Sequence, residues 1–297
     1  MNQRIIKSIL TKKFNDWLNS ITDSSVRDLV RKNTIITGGA ICSLLLKERP
    51  NDFDVYFRDI NTVEAVARYY VNLFNEEHSQ SADVLLVDER VRIKVQSKGV
   101  AGDIPDNFDD EVEQELSEED VAGSNLIELV NCPKVDVKPK YRPVYLTDNA
   151  ITLSNKIQIV IRFYGSPEEI HKNFDFVHVT NYWESDTGKV VLKAEALESI
   201  LAKELRYMGS LYPVCSVIRT RKFLKKGWHI NAGQYLKMLF QVSELNLNNI
   251  AVLEEQLTGV DTAYFVHLLN ALKEQKSKNP DFSYNGGYIA TIIDRIF

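Results

Sequence analysis

The chain has 297 residues, 44% of them hydrophobic, with a net charge of −5 at neutral pH and three cysteines. That length and apolar content suffice for one large or two ordinary folded domains and argue against a disordered chain. Cys42, Cys132 and Cys215 are odd in number and widely spaced, which excludes a disulfide framework and a CxxC metal site. No run approaches the ~18 apolar residues of a membrane span, so a reducing cytoplasm and no membrane partner are expected.

The first twenty residues hold no uninterrupted apolar stretch of the signal-peptide kind. Ile5, Ile6, Ile9, Leu10, Phe14, Trp17, Leu18 and Ile21 instead recur at helical spacing, so an amphipathic helix opens a helical region that lasts to about residue 32. The β-branched run 34–37 is a strand, Gly38 and Gly39 turn it into a helix over 40–47, and 53–57 is a second strand. A helix over 61–78 and a strand over 84–95 follow. Residues 99–133 contain eleven acids and no Lys or Arg, which leaves +6 on the remainder of the chain. Such a stretch reads as a solvated insertion.

Beyond it the pattern gives a hairpin over 145–163. Ser166-Pro167-Glu168-Glu169 then supplies an N-cap, a proline at the first helical position and acids in the first turn of a short helix over 168–173. Residues 174–180 alternate as a strand. From Ala194 onward the periodicity is helical: 195–208, 214–226, 231–244, 247–257, 262–276 and 287–297. The five histidines form no HExxH or HxH pattern, and His178, on the opposite strand face from Asp175, reads as structural.

Chemistry is suggested by spacing around the first strand pair. Asp52 and Asp54 alternate with Phe53, Val55 and Phe57, so both carboxylates emerge on one face of a strand. At ~4 Å and an effective dielectric of ~20 two such charges repel by about 4 kcal/mol, which bound Mg²⁺ would turn into attraction. Glycines at 38 and 39 allow a positive φ and close approach of another group, and a helix N-terminus offers free N–H groups to a phosphate.

Gly-Gly followed after twelve residues by Asp52-Phe53-Asp54 resembles the signature of the polymerase-beta-like nucleotidyltransferase superfamily. The resemblance implies a small mixed sheet flanked by helices, with three carboxylates holding two Mg²⁺ ions around a nucleoside triphosphate. Asp175, heading an otherwise apolar row, is the candidate third ligand, and Asp83, at the entry to the 84–95 strand, is its competitor. Gly38, Gly39 and Ser43 would line the triphosphate.

A basic cluster from Lys203 to Lys226 is interleaved with Tyr207, Tyr212 and Phe223 and followed by Trp228, a composition suited to phosphates and stacked bases. Within it, LYPVCSVIRTRKFLKKGW is similar to the segment that follows the catalytic head of CCA-adding enzymes and bacterial poly(A) polymerases, with Arg219, Lys222, Phe223 and Gly227 in the corresponding places. Arg219 and Lys222 would then carry charge for the departing pyrophosphate or the acceptor. The Arg-Asp pair after the glycines and the base-selecting Glu-Asp-x-x-Arg of those enzymes are absent, so CCA addition is not implied. The Phe-Asp-Phe wording is also similar to that of compact phage-encoded nucleotidyltransferase-like proteins.

The expected fold is α+β. A small mixed β-sheet nucleotidyltransferase head over 1–190, with the acidic insertion at about 99–133, precedes an all-helical domain over 191–297. The expected activity is Mg²⁺-dependent transfer of a nucleoside monophosphate from a nucleoside triphosphate to an acceptor hydroxyl, RNA or tRNA being the candidate acceptors. Two other classes stay open: an inactive nucleotidyltransferase-fold protein that binds nucleic acid or serves as a structural, phage part, and a sensor that makes a nucleotide signal.

Overall fold

The computed structural model describes residues 2–77, 81–95, 140–257, 263–279 and 282–296. The expected acidic insertion at 99–133 lies outside them. The chain divides into two compact units, one formed by Met1–His171 and His178–Ile200, the other by Lys172–Val177 and Leu201–Phe297.

The first unit opens with helices α1 (Gln3–Leu18) and α2 (Ser24–Asn33), each started by a side-chain cap. The Asn2 side chain accepts from the Arg4 N–H, and the Asp23 carboxylate accepts from the Ser25 and Val26 N–H groups. Strand β1 (Thr34–Thr37), helix α3 (Gly39–Leu45), strand β2 (Phe53–Phe57) and helix α4 (Ile60–Glu77) follow. Strands β3 (Ala82–Val87) and β4 (Arg90–Val95) form a separate two-stranded ladder. The single strand expected over 84–95 is thus a hairpin, reversed at Asp88 and Glu89, whose φ values of 49° and 56° are left-handed.

Strands β5 (Pro143–Leu146), β6 (Ala150–Leu153), β7 (Ile157–Tyr164), β8 (Tyr182–Glu184) and β9 (Val190–Val191) complete the main sheet. Its seven strands run in the order β5-β6-β7-β2-β1-β8-β9. The β2–β7 pair is parallel and the other pairs are antiparallel, which makes the sheet mixed. Helix α5 (Pro167–His171) follows β7, and α6 (Ala194–Ala202) ends the unit. Ser166 and Glu169 cap α5 reciprocally: the Ser166 N–H donates to Glu169 Oε2 at 2.7 Å and the Glu169 N–H to Ser166 Oγ at 3.3 Å.

Alternation along the strands sorts the sheet into two faces. Ile36, Phe53, Val55, Phe57, Ile157, Ile159 and Trp183 lie in one buried apolar cluster with the inward side chains of α1, α2 and α4. Trp17 Nε1 donates to the Tyr70 hydroxyl at 2.7 Å inside that core. The second unit is helical: α7 (Pro213–Lys225), α8 (Ala232–Ser243), α9 (Ile250–Gln256), α10 (Ala263–Lys278) and α11 (Gly286–Ile296). A small sheet with helices followed by a helical region is the architecture expected. Among the described residues no helix is long and apolar enough to cross a membrane.

One core position departs from the α1 pattern. Lys13 is 2% exposed, its ammonium donates to the Asn155 carbonyl oxygen, and it stands 5.3 Å from the ring centroids of both Phe53 and Tyr141. Burial first, and then the positive charge of Lys156, push its pKa down to about 8. Between that value and the unfolded value near 10.5 only the unfolded chain holds the extra proton, so this group makes the fold more stable as pH rises through the window. Raising pH from 8 to 9.5 should therefore stabilise the unaltered chain relative to Lys13→Met by about 2 kcal/mol, measured by urea unfolding.

Candidate active site

Strand β1 ends at Thr37 and the chain turns at Gly38, which has φ 92° and ψ −150° and serves as the N-cap of α3. This backbone conformation is open to glycine and costly for other residues. The Gly38 N–H donates to the Val179 carbonyl oxygen at 3.1 Å. A methyl group built on Gly38 would lie 2.7 Å from Asp54 Oδ2. The Asp54 carboxylate thus rests on the bare Cα of Gly38, and glycine is required there for space as well as for conformation.

Register explains the meeting. Asp54 on β2 pairs with Thr37 on β1 and with Gln158 on β7, and Thr37 pairs in turn with Tyr182 on β8. Directly paired residues share a face, so Gln158, Asp54, Thr37 and Tyr182 make a polar row across four strands on the face opposite Phe53 and Val55. Asp52 precedes β2 and is exposed, whereas Asp54 is half-buried. Gly39 is exposed, with open space where its Cβ would stand, and Ser43 is half-buried within the seven-residue α3.

Asp175 has a different setting. Residues 174–180 do not form the expected strand: Phe176 makes a single bridge to Tyr207, and Val177–Val179 is a 3-10 turn. The segment is held by Val177 N–H donating to the Arg206 carbonyl and Met208 N–H to that of Asp175. Asp175 is 7% exposed. Its Oδ1 accepts from the hydroxyls of Ser210 and Ser216, each at 2.9 Å, and its Oδ2 pairs with Arg219 at 2.6 Å. All four residues belong to the second unit, whereas Asp52 and Asp54 belong to the first. Asp83 stands on β3, exposed. Among the described residues no group of three or more His, Cys, Asp or Glu is gathered to hold a metal.

The basic segment is also sorted by the fold. Arg219 is committed to Asp175, while Arg221, Lys222, Lys225 and Lys226 are exposed on and just after α7. Its aromatic residues are not presented to solvent as a stacking surface. Tyr207, Tyr212 and Trp228 are buried, and Phe223 packs edge-on against Phe176 and Trp228 at 5.6 and 5.9 Å between centroids. Cys215 donates to the Gln256 carbonyl at 2.7 Å, and burial pushes its thiol up to about 11.

Sequence reading passed over a network in the first unit. His171 is 2% exposed and lies between Thr37 Oγ1, 2.9 Å from Nε2, and Lys193 Nζ, 3.1 Å from Nδ1. Thr37 Oγ1 also lies 2.8 Å from the Asn181 carbonyl oxygen, to which it donates. Its lone pair is then left to accept from the His171 Nε2–H, and Nδ1 accepts from the Lys193 ammonium. The imidazole is therefore neutral, in agreement with a pKa pushed down to about 3, first by burial and then by the Lys193 charge. Residues 37, 171, 181, 182 and 193 carry no common sequence signal, because long-range pairing alone brings them together.

A model of the Gabija anti-defense 2 family matches residues 8–203. Gabija anti-defense 2 of Bacillus phage SPbetaL7 is 19% identical over 238 residues, covering 79% of this chain and 44% of that protein. The chain is similar in fold to solved CCA-adding enzymes. The Thermotoga maritima enzyme complexed with tRNA aligns over 93% of this chain and 57% of its own, with 12% identity and a TM-score of 0.37. The Bacillus stearothermophilus enzyme in complex with CTP aligns over 82% and 48%, with 14% identity and a TM-score of 0.40. The chain spans about half the length of these relatives.

Two outcomes follow from the geometry. Gly38→Ala should lose about 1–3 kcal/mol of stability through strain and contact with Asp54, and should lose measurably less in an Asp54→Ala background, as a double-mutant cycle by denaturant melting would record. For His171 the folded pKa near 3 lies below the usual 6.5, so the unfolded chain takes up a proton first as pH falls, and stability drops below pH 6.5. Lowering pH to 5 should cost the unaltered chain about 2 kcal/mol more than it costs His171→Gln, whose amide offers an acceptor and a donor without titrating.

Proposed function

The chain belongs to the Gabija anti-defense 2 family, and we propose that it acts against Gabija defence as a nucleotidyltransferase, moving a nucleoside monophosphate from a nucleoside triphosphate to an acceptor hydroxyl. The observation that carries the reading is the Asp54 carboxylate seated on the Cα of Gly38, with the exposed Asp52 two residues earlier, just before β2. Family membership accounts for the anti-defence part, through the name of the phage relative. The transfer chemistry rests on the residues of the first unit.

The donor set suits magnesium. Mg²⁺ binds through one or two carboxylates plus substrate phosphates and keeps several waters, and Asp52 and Asp54 supply two carboxylates, one in solvent and one fixed by packing. When bound there, the ion would offset charge on the reacting phosphate and its leaving group. Asp54 Oδ2 occupies the space that a side chain at position 38 would fill. Gly39, exposed and without a side chain, leaves room for a phosphate beside the backbone, with Ser43 farther along α3.

In this reading Asp175 anchors Arg219 instead of completing a three-carboxylate, two-ion centre. Lys222 and its basic neighbours on α7 are exposed, and an RNA is among the candidate acceptors. The same saturation of Asp175 favours a second reading, in which the fold is kept for binding a partner and no transfer occurs.

Incubation with each labelled nucleoside triphosphate, Mg²⁺ and total cellular RNA or protein separates the two. Label should enter one fraction, and Asp52→Asn and Asp54→Asn should each reduce incorporation on the order of a hundredfold or more while melting no lower than the unaltered chain. Full activity in the double variant would remove the assignment. Absence of label under all four triphosphates would leave the binding reading.

A further inference from the structure

Lys193 carries a charge that the described residues leave uncompensated. Its side chain is half-buried, and its interactions are a hydrogen bond to His171 Nδ1 and a position 5.8 Å from the Tyr182 ring centroid; no carboxylate among the described residues pairs with it. Drawing an ammonium partly out of water costs free energy unless an anion completes it. One of its three protons is used by His171, so two remain for another acceptor.

The neighbours fix where that acceptor would stand. His171 is held by Thr37, and the backbone N–H of Lys193 donates to the Asn181 side-chain oxygen at 2.8 Å, so the lysine is fixed at its root and at its tip. Asn181 is fully buried and its Nδ2 has no acceptor among the described residues, which adds a second unspent donor to the neighbourhood. Of the acids near the Tyr182 hydroxyl, Glu168 and Glu184, the latter is tied to Arg58. Tyr182 pairs with Thr37 and Thr37 with Asp54, side by side on one sheet face. With strands ~4.8 Å apart, Tyr182 stands roughly 10 Å from Asp54, and the turn at Gly38 begins between them.

We propose that Lys193 is a phosphate-binding residue of this site: its ammonium, aimed by the His171 imidazole and the Tyr182 ring, takes the β,γ end of a nucleoside triphosphate whose α-phosphate lies at Asp54. The proposal rests on the nucleotidyltransferase reading. It assigns His171 a positioning role, because only a neutral imidazole can accept from the lysine without adding a like charge. It also explains why a buried histidine, a threonine at the end of β1 and a lysine from the far side of β9 are bonded in series.

Calorimetric titration of the full chain with Mg²⁺ complexes of α,β-methylene nucleoside triphosphates, with inorganic pyrophosphate and with nucleoside monophosphates tests this directly. Lys193→Met should weaken triphosphate and pyrophosphate binding roughly ten- to a hundred-fold, the range of a charge-assisted hydrogen bond, and leave the monophosphates within about twofold. Lys193→Arg should restore most of the loss, which a merely structural lysine would not require. Unchanged triphosphate and pyrophosphate affinity in Lys193→Met overturns the proposal, and if Asp54→Asn abolishes transfer in the same preparations the nucleotidyltransferase reading survives it. Lys193-dependent pyrophosphate binding in a chain that transfers no nucleotide keeps the subsite and removes that reading. No binding of any triphosphate or of pyrophosphate by the unaltered chain overturns both.

Discussion

The close approach of the Asp54 carboxylate to the Cα of Gly38 is the constraint around which the first unit is arranged. It needs a residue without a side chain, a left-handed turn at the end of β1 and an antiparallel register that sets residue 54 opposite residue 37. Shifting β2 by one residue would put Asp54 on the face that holds Phe53 and Val55. The apolar side of the sheet therefore enforces the polar side: Phe53, Val55 and Phe57 cannot leave the core, and Asp54 is held above Gly38 as a result.

The same register orders the groups around it. Four strands contribute one polar residue each to a single row, and the His171 network is bonded to that row at Thr37. A neutral imidazole in this place links the strand end to a lysine without bringing a second charge. Its low pKa follows from burial and from Lys193, so the imidazole stays neutral across the pH range in which a cell works. Thr37 and Asp54 are held by strands of the sheet, His171 by α5, and Asn181 and Lys193 by the segments that flank β8 and β9.

Much of this was legible in the sequence, and what was not has physical reasons. Strands 34–37 and 53–57 were set by β-branched and alternating apolar residues, and the bounds observed are the same. The α5 start was announced by Ser166, Pro167 and Glu169, whose capping contacts are local. The reversal at Asp88 and Glu89 was hidden because neither residue is the glycine or asparagine that marks such turns. Residues 174–180 alternate like a strand, yet their hydrogen bonds go to Arg206, Met208 and Gly38, partners that no local pattern discloses. Strand β8, which does flank β1, is only three residues long and too short to announce itself. Local rules thus recovered the first strand pair and most of the helices, although the helix expected over 195–208 ends at Ala202, while the network at His171 depended on pairings across more than a hundred residues.

Asp175 and Asp54 show how two similar acids divide once the chain is folded. Asp175 receives two hydroxyl donors and a guanidinium, so both its oxygens have protein partners and its charge is matched within the second unit. Asp54 lies over a glycine in the first unit, half-buried, two residues after the exposed Asp52. The first arrangement holds a helix to a turn; the second sets a carboxylate against the Cα of a glycine. Gly38, Asp52, Asp54, His171, Tyr182 and Lys193 all fall within residues 8–203, the span that the family model matches.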